Sequence, residues 1–397
     1  MRVLFVAALP PERSSMVGRI LPLAQEVHAA GHAVEILTLS GARRGPYTER
    51  RDVGGIRLRT VGPALRATDE IHPHPVRTFV RFLMGHTALA RALATAKADV
   101  VILEKPQPQN TFPALSFAQR VSVPLVLDLD DLEAEASRLP ALFRWAFARL
   151  ESQAVEHAAV VTVASAALAE HVRALRPRVR MELVPTGARL PPTIPNAHLR
   201  ERLGLPADAK VILYVGSLSI ASGHRVDHLL DAFAKLAHTM PNVHLVLAGN
   251  GLDEQRLRAT ARSLPPAANI HFLGRFTPPS DFALAHDADL LVDPVDRSLT
   301  NQAKSSHRVL LALATGTPIV AGAVGIRPLM LPPALHVTCL YDPDDPDALR
   351  AALARGLHES VRDHFRLYTA DRIHPWTWPV LGPRFVHLLQ SVARSTS

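Results

Sequence analysis

The sequence is poor in the residues and patterns that mark several large classes of protein. It has a single cysteine, Cys339, so no disulfide can form within the chain, which suits a reducing cytoplasm. Aromatic residues make up only 5%, and no zinc-finger spacing, aromatic RNA-binding motif or basic helix is present, so we expect no nucleic-acid partner. No stretch approaches the roughly 18–20 uncharged apolar residues of a membrane-spanning helix.

Cofactor motifs are also missing. Because there is no G-x-G-x-x-G pattern, the sequence does not predict a dinucleotide cofactor. The 20 histidines include no H-E-x-x-H motif, and we expect no bound metal. An apolar run opens the chain over Arg2–Leu9 and is interrupted by Pro10-Pro11, which predicts a first strand rather than a secretory signal.

The sequence does contain basic charge and enough apolar residues for two cores. Lys and Arg number 44 against 36 Asp and Glu, which gives a net charge of +8 and a pI near 10.2. A basic protein of this kind attracts phosphorylated substrates or an anionic membrane surface. With 397 residues, of which 48% are apolar, the chain is too long for one hydrophobic core, and we expect two domains.

The first half begins with a β-α-β pattern. An apolar strand, a loop that ends at Gly18 and a helix over Ile20–Ala30 precede a second strand. Loops at the carboxyl ends of parallel strands bind ligands in open α/β sheets, so Gly18 and Arg19 are candidate ligand-side residues. Further on, a helix over Val76–Ala96 carries Arg77, Arg81 and Arg91. These arginines line either a surface for a ligand or lipid or, alternatively, a solvated helix face.

Three acidic residues crowd together after a later strand. Val123–Leu127 is predicted as a buried strand, and Asp128, Asp130 and Asp131 follow at its carboxyl end. Carboxylates that lie this close repel one another, which raises the pKa of one of them and suits it to proton transfer. The alternative is structural, with Asp130 or Asp131 capping the next helix.

The second half repeats this architecture after a break. The segment Arg189–Asn196 is rich in proline and has no periodicity, which predicts a linker. Two apolar strands follow, over Val211–Val215 and Val243–Ala248, with a helix over Val226–Ala237 between them. The small residues at the exits of these strands are Gly216, Ser217, Gly249 and Gly251.

The stretch from Asp289 to Ala321 is the most informative part of the sequence. A short apolar strand, Leu290–Val292, precedes a polar loop, an apolar helix that ends at Gly316 and a further strand. The polar residues at the amino end of this helix are Asn301, Lys304, Ser305, Ser306 and Arg308. Backbone N–H groups and the helix dipole favour an anion there, and the two cations strengthen that preference, so the stretch predicts a phosphate site. Alternatively, a serine only caps the helix and both cations are solvated.

The same stretch resembles a known family. Ser306-His307-Arg308 opens the helix, and Ala314-Thr315-Gly316-Thr317-Pro318-Ile319-Val320 closes it. Together these motifs resemble the donor-binding segment of the GT-B glycosyltransferases of retaining family 4. Gly31-His32-Ala33-Val34 and Gly274-Arg275-Phe276 are similar to further motifs of that family, so the resemblance extends over nearly the whole chain.

The resemblance implies an α/β fold of the GT-B type, in which two Rossmann-like, doubly wound domains face each other across a cleft. It implies an acceptor domain over residues 1–190, a linker over 191–200, a donor domain over 201–372 and a crossover helix over 373–397 that packs back on the first domain. The implied activity is transfer of a sugar from a nucleotide-activated donor to an unidentified acceptor, with retention. The implied location is the cytoplasm, with peripheral contact to the anionic inner membrane surface.

The resemblance also implies roles for residues of this sequence. Arg308 and Lys304 would stabilise the departing diphosphate, and Asp130 would border the acceptor as a catalytic group. The residues implied to hold the donor are Gly216, Ser217, Arg225, Gly249, Gly251, Arg275, Phe276, Asn301 and Ser306. Those implied on the acceptor side are Gly18, Arg19 and Asp131. No bound metal is implied, because cationic side chains and a helix end neutralise the diphosphate in such enzymes.

The chain departs from this family where donor groups are expected. Two family glutamates, one near the sugar and one on the ribose, are replaced by Ala303 and Leu311. Ser217 and Ser222-Gly223 stand where the family carries a basic residue and Lys-Gly. The nearest polar substitutes for the glutamates are Asp296, Asn301 and Gln302. These losses keep two alternatives open: a non-catalytic GT-B subunit that activates a partner glycosyltransferase, and a GT-B sugar-nucleotide epimerase.

Overall fold

A computed structural model of the protein describes residues 1–68, 74–132, 141–276, 280–369 and 371–394. The chain divides into two compact units. Unit 1 consists of Met1–Arg189 together with Thr377–Ser397, and unit 2 consists of Leu190–Trp376. Each unit is an α/β structure built on its own parallel sheet, which confirms the predicted fold class.

Unit 1 is built on a sheet of eight described strands. In chain order these are β1 Arg2–Ala7, β2 Ala33–Ser40, β3 Glu49–Val53, β4 Ile56–Pro63, β5 Val100–Glu104, β6 Leu125–Leu129, β7 Val160–Val163 and β8 Met181–Leu183. Their order across the sheet is β3-β4-β2-β1-β5-β6-β7-β8, and every neighbouring pair is parallel except the hairpin of β3 and β4. The chain builds the sheet outward from β1 in one direction and then restarts at β5 beside it. This reversal of strand order is where open α/β sheets bind ligands, at the carboxyl ends of the strands.

The helices of unit 1 cover the sheet and bury its apolar strands. They are α1 Leu21–Ala29, α2 Pro75–Ala94, α3 Thr111–Arg120, α4 Ala141–His157, α5 Ala166–Leu175 and the C-terminal helix Trp378–Arg394. The C-terminal helix belongs to the same core as α1 and β1, where Trp378 and Phe385 are buried. The backbone N–H of Trp378 donates to the Ala188 carbonyl at 3.1 Å, which fixes the start of this helix in unit 1.

Two predictions about the first half of the chain are wrong in detail. The loop predicted up to Gly18 is already helical, because a π-helical turn over Met16–Ile20 leads directly into α1. Burial of Met16 and Ile20 favours the helical turn over the break that glycine would permit. The predicted solvated face of α2 does not include Arg81, which is 3% exposed and donates to the carbonyls of Ala64 and Ala42 at 2.8 and 2.9 Å.

Unit 2 is built on a sheet of six described, parallel strands. They are β9 Lys210–Val215, β10 Val243–Ala248, β11 Ile270–Gly274, β12 Leu290–Asp293, β13 Ile319–Gly322 and β14 Leu340–Tyr341, in the order β11-β10-β9-β12-β13-β14. This is the doubly wound order, and the strand order reverses between β9 and β12. Buried residues from both directions, such as Tyr214 and Val292, meet in one core. The predicted strands at 211–215, 243–248 and 290–292 are therefore confirmed.

Ten helices of unit 2 are described. They are α6 Leu199–Leu203, α7 Val226–Thr239, α8 Glu254–Ser263, α9 Ser280–Asp287, α10 Leu299–Ala303, α11 His307–Thr315, α12 Arg327–Met330, α13 His336–Cys339, α14 Ala348–Gly356 and α15 Glu359–Thr369. The helix predicted after Ser306 is α11, and the side chain of Ser306 caps it by accepting from the N–H of Val309 at 3.3 Å. Gly316 ends it with a φ of +66°. The preceding segment was predicted as one polar loop but contains the short helix α10.

Candidate functional site

The reversal of strand order in unit 2 holds a buried carboxylate bound by two arginines. Asp293 is the last residue of β12 and is fully buried. It accepts from Nε of Arg308 at 2.8 Å, Nε of Arg327 at 2.7 Å and the hydroxyl of Ser306 at 2.5 Å. Burial alone would raise the pKa of Asp293, but the two guanidinium groups and the Ser306 hydroxyl outweigh it and hold that pKa well below its usual range. Asp293 is therefore a fixed negative charge at the end of the central strands.

Arg308 has several hydrogen-bond partners and one aromatic contact within the protein. Its guanidinium donates to Asp293, to the Val215 carbonyl at 2.9 Å and to Nδ1 of His224 at 3.1 Å. The ring of Tyr214 lies beneath it, with the guanidinium carbon 4.8 Å from the ring centroid. Since Arg308 is only 7% exposed, the alternative of a solvated cation at the helix start is wrong. The predicted diphosphate-binding role of Arg308 stays a prediction, and the anion that Arg308 binds in this structure is Asp293.

His224 is a neutral partner of Arg308. Burial, followed by the charges of Arg308 and Lys304, lowers the pKa of His224 well below its ordinary value. The imidazole is therefore uncharged near neutral pH. Because Arg308 donates to Nδ1, that nitrogen is the acceptor and the ring proton lies on Nε2. Neither His224 nor Asp293 was predicted as a site residue from the sequence; the position of Asp293 at the end of a buried strand was the available signal.

The loop after β9 is fastened to the segment that precedes α11. Nζ of Lys304 donates to the Ser222 carbonyl at 2.7 Å, and Nδ2 of Asn301 donates to the Gly223 carbonyl at 3.0 Å. Asn301 is 1% exposed, and its Oδ1 is buried with no hydrogen-bond partner among the described residues. The predicted residues Asn301, Lys304, Ser306 and Arg308 thus lie around one strand end.

The predicted glycines make this strand end compact. A Cβ on Gly216 would lie 2.4 Å from Nη1 of Arg308, and a Cβ on Gly249 would lie 1.7 Å from the Gly216 carbonyl oxygen. A Cβ on Gly251 would likewise lie 2.4 Å from the carbonyl carbon of Leu218. Gly249 and Gly251 are required because the exit loops of β9 and β10 approach each other too closely for a side chain, and Gly216 is required because the Arg308 guanidinium occupies that space.

The other predicted donor residues have local partners. Arg225 forms ion pairs with Asp227 and Asp296 at 3.0 and 3.1 Å, so its charge is compensated within the protein. Ser217 accepts a hydrogen bond from Tyr214 through its carbonyl at 2.6 Å. The turn after β11 carries Arg275, which is exposed, and Phe276, which is half-buried. The donor roles implied for these four residues stay predictions.

The two positions at which the family carries glutamates are buried in this chain. Ala303, the last residue of α10, and Leu311, in the middle of α11, are each fully buried. Of the suggested substitutes, Asp296 accepts from Nδ2 of Asn301 at 2.8 Å and Gln302 donates to the Arg297 carbonyl at 2.8 Å. Compensation by these polar groups stays a prediction.

In unit 1, the predicted acceptor-side residues fall into two environments. Gly18 and Arg19 lie in the π-helical turn, and Arg19 is 1% exposed. Its guanidinium donates to both carboxylate oxygens of Asp128 at 2.6 Å, so Arg19 is a buried structural cation rather than a loop residue open to a ligand. Asp130 pairs with Lys105 at 2.9 Å.

Asp131 is the remaining acceptor-side prediction. Its carboxylate accepts from the N–H of Leu132 at 2.9 Å. Residues 133–140, which follow it, lie outside the described residues, so the suggested helix cap stays a prediction. Over the parts of the chain that the structure covers, no three His, Cys, Asp or Glu side chains converge as metal ligands would. In the same residues, no helix combines the length and apolar character needed to cross a membrane.

Two Rossmann-like units with charged groups at their strand reversals define the class of protein, an α/β fold suited to binding nucleotides. The sequence matches the family described as Glycosyl transferase 4-like domain over residues 16–187 and Glycosyl transferases group 1 over residues 209–359. The chain belongs to the GT-B glycosyltransferases of the family 4 type, as the sequence motifs predicted.

Individual relatives agree with this assignment. A phosphatidyl-myo-inositol mannosyltransferase of Mycobacterium tuberculosis is 28% identical over 200 residues, which cover 48% of this chain and 50% of that protein. The chain therefore spans about half the length of the curated relatives that it matches first. Among solved structures, sucrose-phosphate synthase from Thermosynechococcus elongatus aligns over 100% of both chains with a TM-score of 0.79 and 17% identity. HepE of Anabaena, in complex with UDP and glucose, aligns over 98% of this chain and all of that one, with a TM-score of 0.70 and 16% identity. These structural likenesses establish the fold.

Proposed function

We propose that the chain transfers a glycosyl group from a nucleotide-activated sugar to an acceptor hydroxyl, with retention and without a bound metal. Family membership supports the reaction class. The observation that carries the donor site is an excess of positive charge: Arg308 and Arg327 share the single carboxylate of Asp293, and Lys304, between α10 and α11, donates to the Ser222 carbonyl of the loop after β9. The two guanidinium groups against one carboxylate leave one positive charge, and Lys304 is a further cation of the same site. A nucleoside diphosphate supplies the opposite charge.

The positive charge of this site would stabilise the diphosphate that leaves during the reaction. Negative charge grows on the departing diphosphate in the transition state, and fixed cations in a site that excludes water stabilise it. Lys304 and the amino end of α11 would face the diphosphate, whereas Arg308 and Asp293 would hold the loop and helix in place. Loss of one such electrostatic partner costs about 3–4 kcal/mol in comparable oxyanion sites. We place the enzyme in the cytoplasm, in the synthesis of a polysaccharide or glycoconjugate.

The direct test is binding of sugar nucleotides. The HepE structure contains UDP and glucose, so UDP-glucose is the first ligand to try, followed by GDP-, dTDP- and ADP-sugars. A ligand at 100 times its dissociation constant adds about 2.7 kcal/mol to the free energy of unfolding, which a thermal-shift assay detects readily. We expect one nucleotide class to stabilise the protein and Lys304→Met to remove that stabilisation.

The matched control is Lys235→Met, because Lys235 is an exposed lysine of the same unit, paired with Asp347 at 3.3 Å. It should keep the ligand response. Failure of every sugar nucleotide to stabilise the wild-type protein would contradict the proposal. Binding without turnover or donor hydrolysis would instead favour the non-catalytic subunit, and interconversion of the donor sugar would favour the epimerase.

We also propose peripheral contact with an anionic membrane through α2. This helix exposes an apolar stripe of Val76, Phe79, Val80, Leu83 and Met84, each between 44% and 65% exposed. Helical spacing places the exposed Arg77 and Arg91 beside the stripe, so apolar and basic groups share one surface. Anionic lipid complements both this surface and the net charge of +8.

Sedimentation with vesicles tests the contact. The protein should bind vesicles that contain phosphatidylglycerol more strongly than vesicles of phosphatidylcholine alone, and Phe79→Ser with Leu83→Ser should abolish binding. Leu367→Ser is the control, because Leu367 is 73% exposed on α15 of the other unit. Equal binding by the α2 variant and the wild type would show that α2 is not the contact.

A further inference from the structure

The reversal of strand order in unit 1 contains a buried carboxyl group that the proposed reaction does not use. Glu104 is the last residue of β5 and is 1% exposed. In the strand register it lies opposite Ala7 of β1 and Asp128 of β6. Neighbouring residues of parallel strands that are in register place their side chains on the same face of the sheet. Glu104 and Asp128 therefore lie side by side at the edge where this fold binds ligands.

The positively charged side chains at this edge of the sheet form ion pairs with aspartates. Arg19 donates to both oxygens of Asp128, which also accepts from the hydroxyl of Thr162. Nζ of Lys105 lies 2.9 Å from the carboxylate of Asp130, and both side chains are largely buried. Arg19 thus neutralises Asp128, and Lys105 neutralises Asp130. Glu104 is a third carboxyl group in the same cluster of described residues.

The surroundings of Glu104 disfavour its charge. Its Oε1 is buried and has no hydrogen-bond partner among the described residues. Burial and then the negative charge of Asp128 raise the pKa of Glu104 well above its ordinary value, although Arg19 acts in the opposite direction and Asp130 adds to the increase. A neutral carboxyl group would remove the excess negative charge and could donate its proton to Asp128.

The backbone at this position is also constrained. Lys105 adopts a φ of +49°, a conformation that is strained for a residue with a side chain. Nδ2 of Asn110 donates to the carbonyls of Glu104 and Lys105 at 2.9 and 3.1 Å and to that of Val6 at 3.3 Å, so one amide holds the ends of β1 and β5 together. The structure therefore fixes the direction in which Lys105 leaves the strand.

We propose that Glu104 carries a proton in the folded protein, shares it with Asp128, and thereby acts as a positioning residue for the Lys105–Asp130 pair. If Glu104 were ionised, three carboxylates would compete for Arg19 and Lys105, and Lys105 would be drawn away from Asp130. The pair lies on the acceptor side of the proposed reaction, so the catalytic consequence rests on the proposed function. The protonation of Glu104 does not.

The pH dependence of stability follows from this arrangement. A carboxyl group whose folded-state pKa is raised keeps its proton in the folded protein after the unfolded chain has lost it. The folded state then binds more protons, and stability falls as pH rises from the unfolded pKa of about 4.3 towards the folded value. The folding equilibrium constant changes about tenfold per pH unit for one proton in that window. Because glutamine does not ionise, the variant Glu104→Gln should not lose stability in this way as pH rises.

The experiment compares the wild type with Glu104→Gln by urea denaturation between pH 5 and pH 9. We expect the variant to become progressively more stable than the wild type as pH rises. A variant that is less stable by a constant amount at every pH would show that Glu104 is ionised and would overturn the proposal. Glu359→Gln is the control, because Glu359 has a side chain that is 90% exposed, and its difference from the wild type should not grow with pH.

Two further measurements complete the test. If Glu104→Gln does not fold, infrared spectroscopy of the wild type must show the C=O stretch of a protonated carboxyl group at pH 7, and its absence overturns the proposal. In a transferase assay, the wild type should lose acceptor affinity towards alkaline pH and Glu104→Gln should not, with KM changing more than kcat. An inactive wild type would contradict the proposed function, while the stability comparison would still decide the protonation of Glu104.

Discussion

The substitution Asp293→Asn tests the centre of unit 2. It keeps the size of the side chain and one acceptor oxygen, but it removes the carboxylate that Arg308 and Arg327 share. Both guanidinium groups are at least nine-tenths buried, so water does not replace the lost charge. Breaking a buried ion pair by removing one partner costs about 3–5 kcal/mol. For a domain of 150–250 residues this lowers the melting temperature by about 6–20 °C.

The assay is urea denaturation as a function of pH. The pKa of Asp293 is depressed, so its contribution is complete above the unfolded value of about 3.9 and is lost only as the pH falls below it. The wild type should therefore exceed the variant in stability at neutral pH, and the two should converge in acid. Asp342→Asn is the control, because Asp342 pairs with Arg297 on the surface, where both side chains are about half exposed. An unchanged denaturation midpoint in Asp293→Asn at pH 7 would refute the reasoning.

A second substitution separates charge from packing. Arg327→Met removes one of the two cations and fills a similar volume. If the damage in Asp293→Asn comes from uncompensated positive charge, the double variant should be more stable than the sum of the two single losses predicts. Coupled residues that touch in this way show interaction energies of about 0.5–3 kcal/mol. Additive losses would mean that the two side chains act independently.

Three other predictions concern the same site. Gly216→Ala should lower both donor affinity and stability in thermal shift, because the new Cβ would lie 2.4 Å from Nη1 of Arg308. His224→Gln should reduce acid sensitivity: the pKa of His224 is lowered, so the wild type loses stability as pH falls below about 6.5, and the variant should lose less. Leu311→Glu should destabilise the protein by placing a carboxylate at a fully buried position, and tighter donor binding by this variant would show that the family ribose site persists.

Most of the fold could be predicted because local patterns specify it. Central strands such as β5 and β9 are nearly continuous apolar runs, as expected for parallel strands that are covered on both faces. Helix α11 begins after Ser306 and ends at Gly316, and both residue types mark helix ends for known physical reasons. The short helix α10 was missed because five residues are too few to show a helical period.

The buried arginines could not be predicted from local sequence. Arg19 and Arg81 were expected near solvent, because a guanidinium group is seldom buried without a partner. The partner of Arg19 is Asp128, 109 residues away, and Arg81 is satisfied by backbone carbonyls of the segment around Ala42. Neither partnership leaves a periodic or motif signal in the sequence. Only the packing of the sheet brings these groups together.

The donor site lacks a family lysine but still has a positive charge at the same loop. By sequence register, the family lysine of the loop after β9 is replaced by Ser222, which suggests a weakened phosphate site. In the structure, Nζ of Lys304 lies 2.7 Å from the Ser222 carbonyl, so a cation reaches the same loop from a segment 82 residues later in the chain. The electrostatic attraction of a phosphate group depends on its distance from a cation, whichever segment of the chain carries that cation. The serine at this position is therefore weak evidence against donor binding. The stronger departure is the pair of fully buried positions Ala303 and Leu311, because neither side chain can accept a hydrogen bond from a hydroxyl group of the donor.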